Sequence, residues 1–363
     1  MAILTEEQTL LRDQAKSFVA EKAPVTHFRK LRDAGQTHDP ALWREICEMG
    51  WSGILIPEEY GGSGLGYLTL GLVLEETGRT LTASPLLSTA IATTALLLGG
   101  DDSQKSEWLP KFASGEAIGT LAVDEAAHHA PEKIALSARD GKLNGKKIFV
   151  ADGGIADVFV VPARTAKGIT LFLVPANAPG LVRHETQSVD SRNFANLEFN
   201  NVAADSVLGA ADQGASLLDS ILDRARAALA VEILGAASQS FDVTLDYLKT
   251  RTQFGQVIGT FQALQHRAAK MFTEIELARS CVEAALNAID KNANDIPQLC
   301  ALAKARAGDL WHLVSNQTVQ MHGGIGMTDA HDAGLYLKRA RVAEALYGSP
   351  AFQRDRYASL MGY

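Results

Sequence analysis

Apolar positions recur at three- and four-residue spacing near the start of the chain, at Leu10, Leu11, Phe18 and Val19, and again at Leu68, Leu72 and Leu74. Breaks fall at Pro24, at Asp39-Pro40 and along Pro57-Glu-Glu-Tyr-Gly-Gly-Ser-Gly-Leu-Gly66. The pattern predicts an all-helical first domain. From about Ala117 the texture changes. Short β-rich runs at Lys147 to Val150, Val158 to Val161 and Ile169 to Val174 lie between turn residues at Asp140-Gly141, Asn144-Gly145 and Asp152-Gly153-Gly154. Several short strands between close turns predict a small barrel or sandwich. From about Gln213 the chain is rich in Ala and Leu, and Leu218, Leu222, Ala225, Leu229 and Ile233 form one apolar stripe at helical spacing. Long helices with short connections, one of them the Asn292 to Pro297 turn, predict an antiparallel bundle. Helices, then a β module, then a bundle make an α+β multidomain chain without the alternating βα units of a doubly wound sheet.

Composition narrows the function classes. The 363 residues carry 34 basic and 42 acidic side chains, a net charge of −8, with 47% hydrophobic and 21% charged residues. Such a chain has ample apolar material for folded cores. It has no run of five Lys or Arg, so nucleic acid and anionic membrane surfaces are not expected partners. Pro85 to Gly100 is apolar but short and carries Ser88, Thr89, Thr93 and Thr94, which predicts a buried helix and no membrane span. Cys47, Cys281 and Cys300 are widely spaced and form no C-x-x-C pair, which argues against a disulfide framework and a zinc ribbon. The opening MAILTEEQTLLRDQAK has neither a basic leader nor a long apolar core, and a cytoplasmic location is expected. The adjacent His128 and His129 point apart on any regular element, so they read as exposed loop residues and no metal is predicted.

Chemistry concentrates near the C-terminus. The run Gly61 to Gly66 lacks G-x-G-x-x-G spacing and a preceding strand, so it reads as a tight turn between helices. Arg251-Thr-Gln-Phe-Gly255 places a guanidinium and an aromatic ring just past a long helix, a donor fork for pyrophosphate beside a ring that can pack on a base. Gln320-Met-His-Gly-Gly-Ile-Gly326 closes another long helix with glycines that let backbone amides approach an anion.

Together these segments resemble the two C-terminal signatures of the acyl-CoA dehydrogenase family. The resemblance extends to Gly50-Trp51 through Pro57-Glu-Glu-Tyr-Gly-Gly62, to Glu75-Glu76 and to Leu143-Asn-Gly-Lys-Lys-Ile-Phe-Val150. It implies an N-terminal α-helical domain over residues 1–115, a middle β-barrel domain over 116–210 and a C-terminal four-helix bundle over 211–363. It also implies an FAD-dependent oxidoreductase that converts an acyl-CoA thioester to a 2-enoyl-CoA, with electron-transfer flavoprotein as acceptor. Arg251 would then pair with the FAD pyrophosphate and Phe254 line the adenosine region, with Gln320, Gly323, Gly324, Val123 and Ser349 as further cofactor contacts. Phe149 would pack on the isoalloxazine, and Asp223 and Arg226 would lie at the thioester end of the substrate. The FAD site would be shared across an oligomer interface, in a dimer of dimers.

The sequence departs from the family pattern at the catalytic base. Tyr347 stands where a Glu is usual, and Ala225 where other members place it. A phenol, with an unperturbed pKa of about 10, is a poor base for a thioester α-proton at neutral pH. Asp124-Glu125-Ala126 replaces Thr-Glu-Pro, and Ala151 replaces a hydroxyl residue near the flavin. Glu232, roughly 10 Å along the same helical face from Ala225, is the candidate displaced base, with a Glu–Arg structural pair as its plain reading. Asp329 is a weaker candidate, with a helix N-cap as its plain reading. Two readings follow: a dehydrogenase acting alone through the displaced base, or a partner subunit of a heterotetrameric dehydrogenase that completes the FAD site of a sister chain. The Asp223 and Arg226 pair speaks against a flavin oxidase or monooxygenase on the same scaffold.

Overall fold

The computed structural model describes residues 4–363. In chain order the helices are α1 (Glu6–Lys22), α2 (Val25–Asp33), α3 (Pro40–Glu48), α4 (Gly66–Arg79), α5 (Leu86–Gly99), α6 (Asp102–Ser114), α7 (Gly214–Thr250), α8 (Gln262–Asp290), α9 (Ile296–His322), α10 (Ala333–Ala345) and α11 (Pro350–Leu360). The strands are β1 (Gly119–Leu121), β2 (Ser137–Arg139), β3 (Lys142–Ala151), β4 (Val158–Arg164), β5 (Ile169–Pro175), β6 (Leu181–Gln187), β7 (Asn193–Ala203), β8 (Val207–Leu208) and the small hairpin β9 (Thr252–Gln253) and β10 (Gln256–Val257). The chain divides into two compact units, one of Leu31–Gly66 and Ala83–Ala225, the other of residues 4–30, Tyr67–Thr82 and Arg226–Tyr363. No helix among the described residues is long and apolar enough to cross a membrane.

The first unit is built on an eight-stranded sheet ordered β6-β7-β3-β2-β4-β5-β8, with β1 added parallel to β4. The path is open, so the expected β-barrel is here a sheet with two edges. The physical reason lies in the end strands: β6 is mostly exposed, and β8 has only 2 residues with which to pair. Asp140 and Gly141, both left-handed, make the two-residue turn between β2 and β3, as their sequence predicts. Asn144-Gly145, expected as a turn, instead lies inside β3. There the register with β7 slips, and the Asn144 side chain accepts the N–H of the bulged Asn201 at 2.9 Å. A helical layer covers β1: a Cβ on Gly119 would stand 2.5 Å from Ala92 of α5 and 2.6 Å from Phe112 of α6. Asp101 and Gln104 cap α6 reciprocally, and Gln104 also donates to the Val207 carbonyl of β8 at 2.9 Å.

The second unit joins α1 and α4 to the long helices. Thr5 and Gln8 form a capping box that starts α1, although Leu10, expected on its apolar stripe, is exposed. α4 and α7 approach at backbone distance: a Cβ on Gly235 would lie 1.9 Å from the Glu75 carbonyl oxygen, and one on Gly78 2.3 Å from that of Glu232. Asp290, at the end of α8, accepts the first amides of α4, Tyr67 at 2.6 Å and Leu68 at 2.8 Å, placing a carboxylate at a positive helix terminus. The expected stripe on α7 is real: Leu218, Leu222, Ala225, Leu229 and Ile233 are all buried. Pro297, expected in a turn, occupies the first turn of α9, where its missing N–H costs nothing.

Candidate functional site

The turn between α10 and α11 carries Tyr347 and Gly348, both in the left-handed region at φ 56° and 101°. Ser349 closes it by accepting the Phe352 N–H at 3.3 Å, which starts α11. Tyr347 is buried, at 2% exposure. Its carbonyl accepts from Arg226 Nε at 3.2 Å and from Gln353 Nε2 at 2.8 Å. Lys304, fully buried on α9, donates its Nζ to the carbonyls of Glu344 and Gly348, each at 3.2 Å. Burial pushes the Lys304 ammonium down to a pKa of about 7, the Arg226 charge adding to the fall and Glu344 opposing it. Arg226, expected at the substrate, therefore also serves the turn.

Glu232 meets Arg339 of α10: Oε1 accepts from Nε at 3.0 Å and from Nη2 at 2.7 Å, and both residues are buried. Asp329 does not cap α10, whose N-cap is Asp332; it pairs with Arg29 at 3.2 Å. Arg29 also holds Asp332 at 2.6 Å. Ala225 is fully buried within the α7 stripe.

At the other end of the long helices, α7 stops at Thr250 and the β9–β10 hairpin turns through Phe254 and Gly255, both left-handed. This two-residue turn holds Phe254 out at 89% exposure, beside the exposed Arg251. α9 ends where Gly323 takes φ 62°. Gln320, Gly323 and Gly324 line an open groove of about 580 Å³ with Arg267, Asn316 and Met327. Neither glycine has any atom within 4 Å of where a Cβ would stand, so the space above this backbone is free. Arg267 donates to Gln317 at 3.0 Å. Sequence reading did not single out Arg267, because a basic residue on the polar face of an amphipathic helix carries no signal of its own. Behind the groove, His322 is buried between Tyr247 and His331, with ring centroids 4.4 Å and 4.2 Å away, and its Nδ1 stands 2.7 Å from the Thr318 carbonyl.

In the sheet unit, Phe149 sits at a bulge, where β3 spends one residue more than β7 between Lys147 and Val150. It is left-handed at φ 52°, its N–H donates to Asn196 Oδ1 at 3.1 Å, and its ring is 51% exposed. The segment before it is held from within. Glu125 accepts from Lys147 Nζ at 2.7 Å and from the amides of Ala135 and Leu136, while the Val123 carbonyl accepts from Lys147 at 3.2 Å. Burial lowers the Lys147 pKa to about 8 against the opposing pull of Glu125. The expected exposed histidines divide: His128 is exposed, but the His129 side chain is buried with Nδ1 2.7 Å from Asp124. A carboxylate five residues upstream supplies the reason. Ala151 offers no hydroxyl, and its carbonyl accepts from Thr120 at 2.7 Å. Asp223 is buried on α7, one helical turn before Arg226.

Three family models match in order: the acyl-CoA dehydrogenase N-terminal domain over residues 5–116, the middle domain over 128–202 and the C-terminal domain over 212–361. The acyl-CoA dehydrogenase IpdE2 of Mycolicibacterium smegmatis is 32% identical over 97% of this chain and 98% of its own length. Among solved structures, the butyryl-CoA dehydrogenase of Megasphaera elsdenii is 25% identical with a TM-score of 0.92 over 99% of both chains. A chain of the ChsE4-ChsE5 complex from Mycobacterium tuberculosis is 26% identical with a TM-score of 0.92 over 100% of both. The chain belongs to the acyl-CoA dehydrogenase family.

Proposed function

We propose that this chain is an FAD-dependent acyl-CoA dehydrogenase, removing a proton from the α-carbon and a hydride from the β-carbon of an acyl-CoA thioester to give a 2-enoyl-CoA. The observation that carries the cofactor assignment is the glycine-floored groove of Gln320, Gly323 and Gly324, lined also by Arg267, together with the outward-held Arg251 and Phe254 at the β9–β10 hairpin. Its free backbone fits a dinucleotide's pyrophosphate, as does the exposed Arg251 guanidinium, and the 89% exposed Phe254 ring fits an adenosine face. Phe149, turned outward by its bulge, fits the isoalloxazine, with Val123 and Ser349 as further contacts. The chemistry that bound FAD supplies is uptake of the hydride. Asp223 and Arg226 would orient the thioester, and hydrogen bonds to its oxygen would stabilise the enolate as the α-proton leaves. The modules divide at 1–115, 116–210 and 211–363. The FAD site is shared across the interface of a dimer of dimers, and an electron-transfer flavoprotein takes the electrons in the cytoplasm.

The base separates two readings. In the first, Glu232 takes the proton and the chain acts alone. The second rests on one observation, the Glu232–Arg339 contact at 2.7 Å: with that carboxylate engaged, and with Tyr347 and Ala225 at the usual base positions, the base would come from a sister chain. Expression of the chain alone, followed by mass and visible spectroscopy of the purified protein, tests the cofactor assignment. The expected result is FAD that is lost in Arg251→Ala. Protein that stays colourless even after co-expression with a sister chain of the same family would overturn it.

A further inference from the structure

Three helices send buried polar side chains to one short turn. Arg226 of α7 and Gln353 of α11 donate to the Tyr347 carbonyl, and Lys304 of α9 donates to the Glu344 and Gly348 carbonyls on either side of it. Lys304 lies between Ala303 and Ala305 and is fully buried, so it cannot reach water to solvate its charge. The ammonium's hydrogen-bond partners are these two carbonyls. A buried ammonium is costly, and a methionine of similar length would fill the space more cheaply if packing were its only task. The turn it holds has two consecutive left-handed residues, a conformation that Tyr347 reaches only with outside support.

We propose that Lys304 is a positioning residue for the dehydrogenation: with Arg226 and Gln353 it clasps the turn that carries Tyr347, firmly when its ammonium is charged and loosely when it is neutral. The consequence for turnover rests on the function proposed above; the clasp itself is a property of this chain. Charged donors make hydrogen bonds about twice as strong as neutral ones, so deprotonation weakens the clasp without removing its donors. The ionisable groups around Lys304 are Arg226 from α7, Glu344 from α10 and Tyr347 from the turn; Gln353 of α11 does not titrate. The Glu344 carboxylate is engaged by Arg341 at 2.9 Å, and α8 meets α9 nearby through Glu274 and Arg306 at 2.6 Å. Burial lowers the Lys304 pKa to about 7, so it changes charge near neutral pH.

The test is amide hydrogen exchange over residues 344–349 of the full chain from about pH 6 to about pH 9, corrected for intrinsic exchange, in wild type, Lys304→Met and Lys304→Arg. Leu346 and Gly348 report directly, since their amides donate to Val342 and Ala345 at 3.1 Å. For local openings of the turn that leave Lys304 buried, and so do not restore its charge, wild-type protection is expected to fall as pH rises through about 7. Lys304→Met should be poorly protected and flat with pH, and Lys304→Arg, which stays charged, should hold its protection across the range. With FAD and substrate, kcat should track protection while KM stays constant. A merely structural lysine would behave differently: its removal would change global stability and its pH dependence but leave kcat and the local protection of the turn unchanged. Equal protection in wild type and Lys304→Met at every pH overturns the clasp. A wild-type chain that is clasped but dehydrogenates nothing, alone or with a sister chain, overturns the positioning role and the proposed function, and leaves the clasp standing.

Discussion

Glu232 brings a carboxylate into the apolar middle of α7, and the fold answers with Arg339, 2.7 Å away. Removing one member of such a pair strands the other in low dielectric. Glu232→Gln is therefore expected to cost about 3–5 kcal/mol in urea unfolding, and replacing both residues by apolar ones of similar size should recover most of it. If Glu232→Gln unfolds like wild type, the pair is not closed in solution. This residue also shows where sequence reading stops. Its helical face and apolar neighbours were legible, but its partner lies 107 positions away, a separation that no local pattern reveals. Lys304 and Gln353 were missed for the same reason: their targets are backbone carbonyls, which have no sequence signature.

At the scale of elements, the α4–α7 contact depends on glycine at Gly78 and Gly235. A Cβ at Gly235 would fall 1.9 Å from a carbonyl oxygen, so Gly235→Ala must push the helices apart. The expected cost is about 3 kcal/mol or more, read as a lowered midpoint in thermal or urea unfolding. A wild-type midpoint would mean that the helices have room to separate. Helix periodicity and caps were legible because each is written within a few residues, as in Thr5 with Gln8 and in the stripe from Leu218 to Ile233. Sheet closure was not. Whether β6 meets β8 depends on strand order and edge length, and the dipeptide Asn144-Gly145 reads as a turn whether it ends a strand or serves a bulge within one.

For the whole molecule, two buried lysines set a pH dependence of stability. Lys304 falls from 10.5 to about 7 on folding and Lys147 from 10.5 to about 8. Between the folded and unfolded values the unfolded chain binds more protons, so the free energy of unfolding should rise with pH from about 7 to about 10, by up to about 1.4 kcal/mol per pH unit for each lysine. Urea titrations at pH 7, 8 and 9 check this, and Lys147→Met and Lys304→Met should each flatten part of the slope. Stability that falls across this window would contradict the burial of both ammonium groups. The chain carries a net charge of −8. FAD and CoA are themselves polyanions, so on the proposed function their binding would rest on a few placed groups, chiefly Arg251, Arg226 and the backbone at Gly323 and Gly324, and not on bulk charge. The most direct test of the central claim is anaerobic titration of the FAD-loaded protein, with its sister chain if FAD requires one, with acyl-CoA thioesters of graded size while the flavin band near 450 nm is followed. Bleaching of that band with formation of the 2-enoyl-CoA is expected; a flavin that stays oxidised with every acyl-CoA rules out the proposed dehydrogenation.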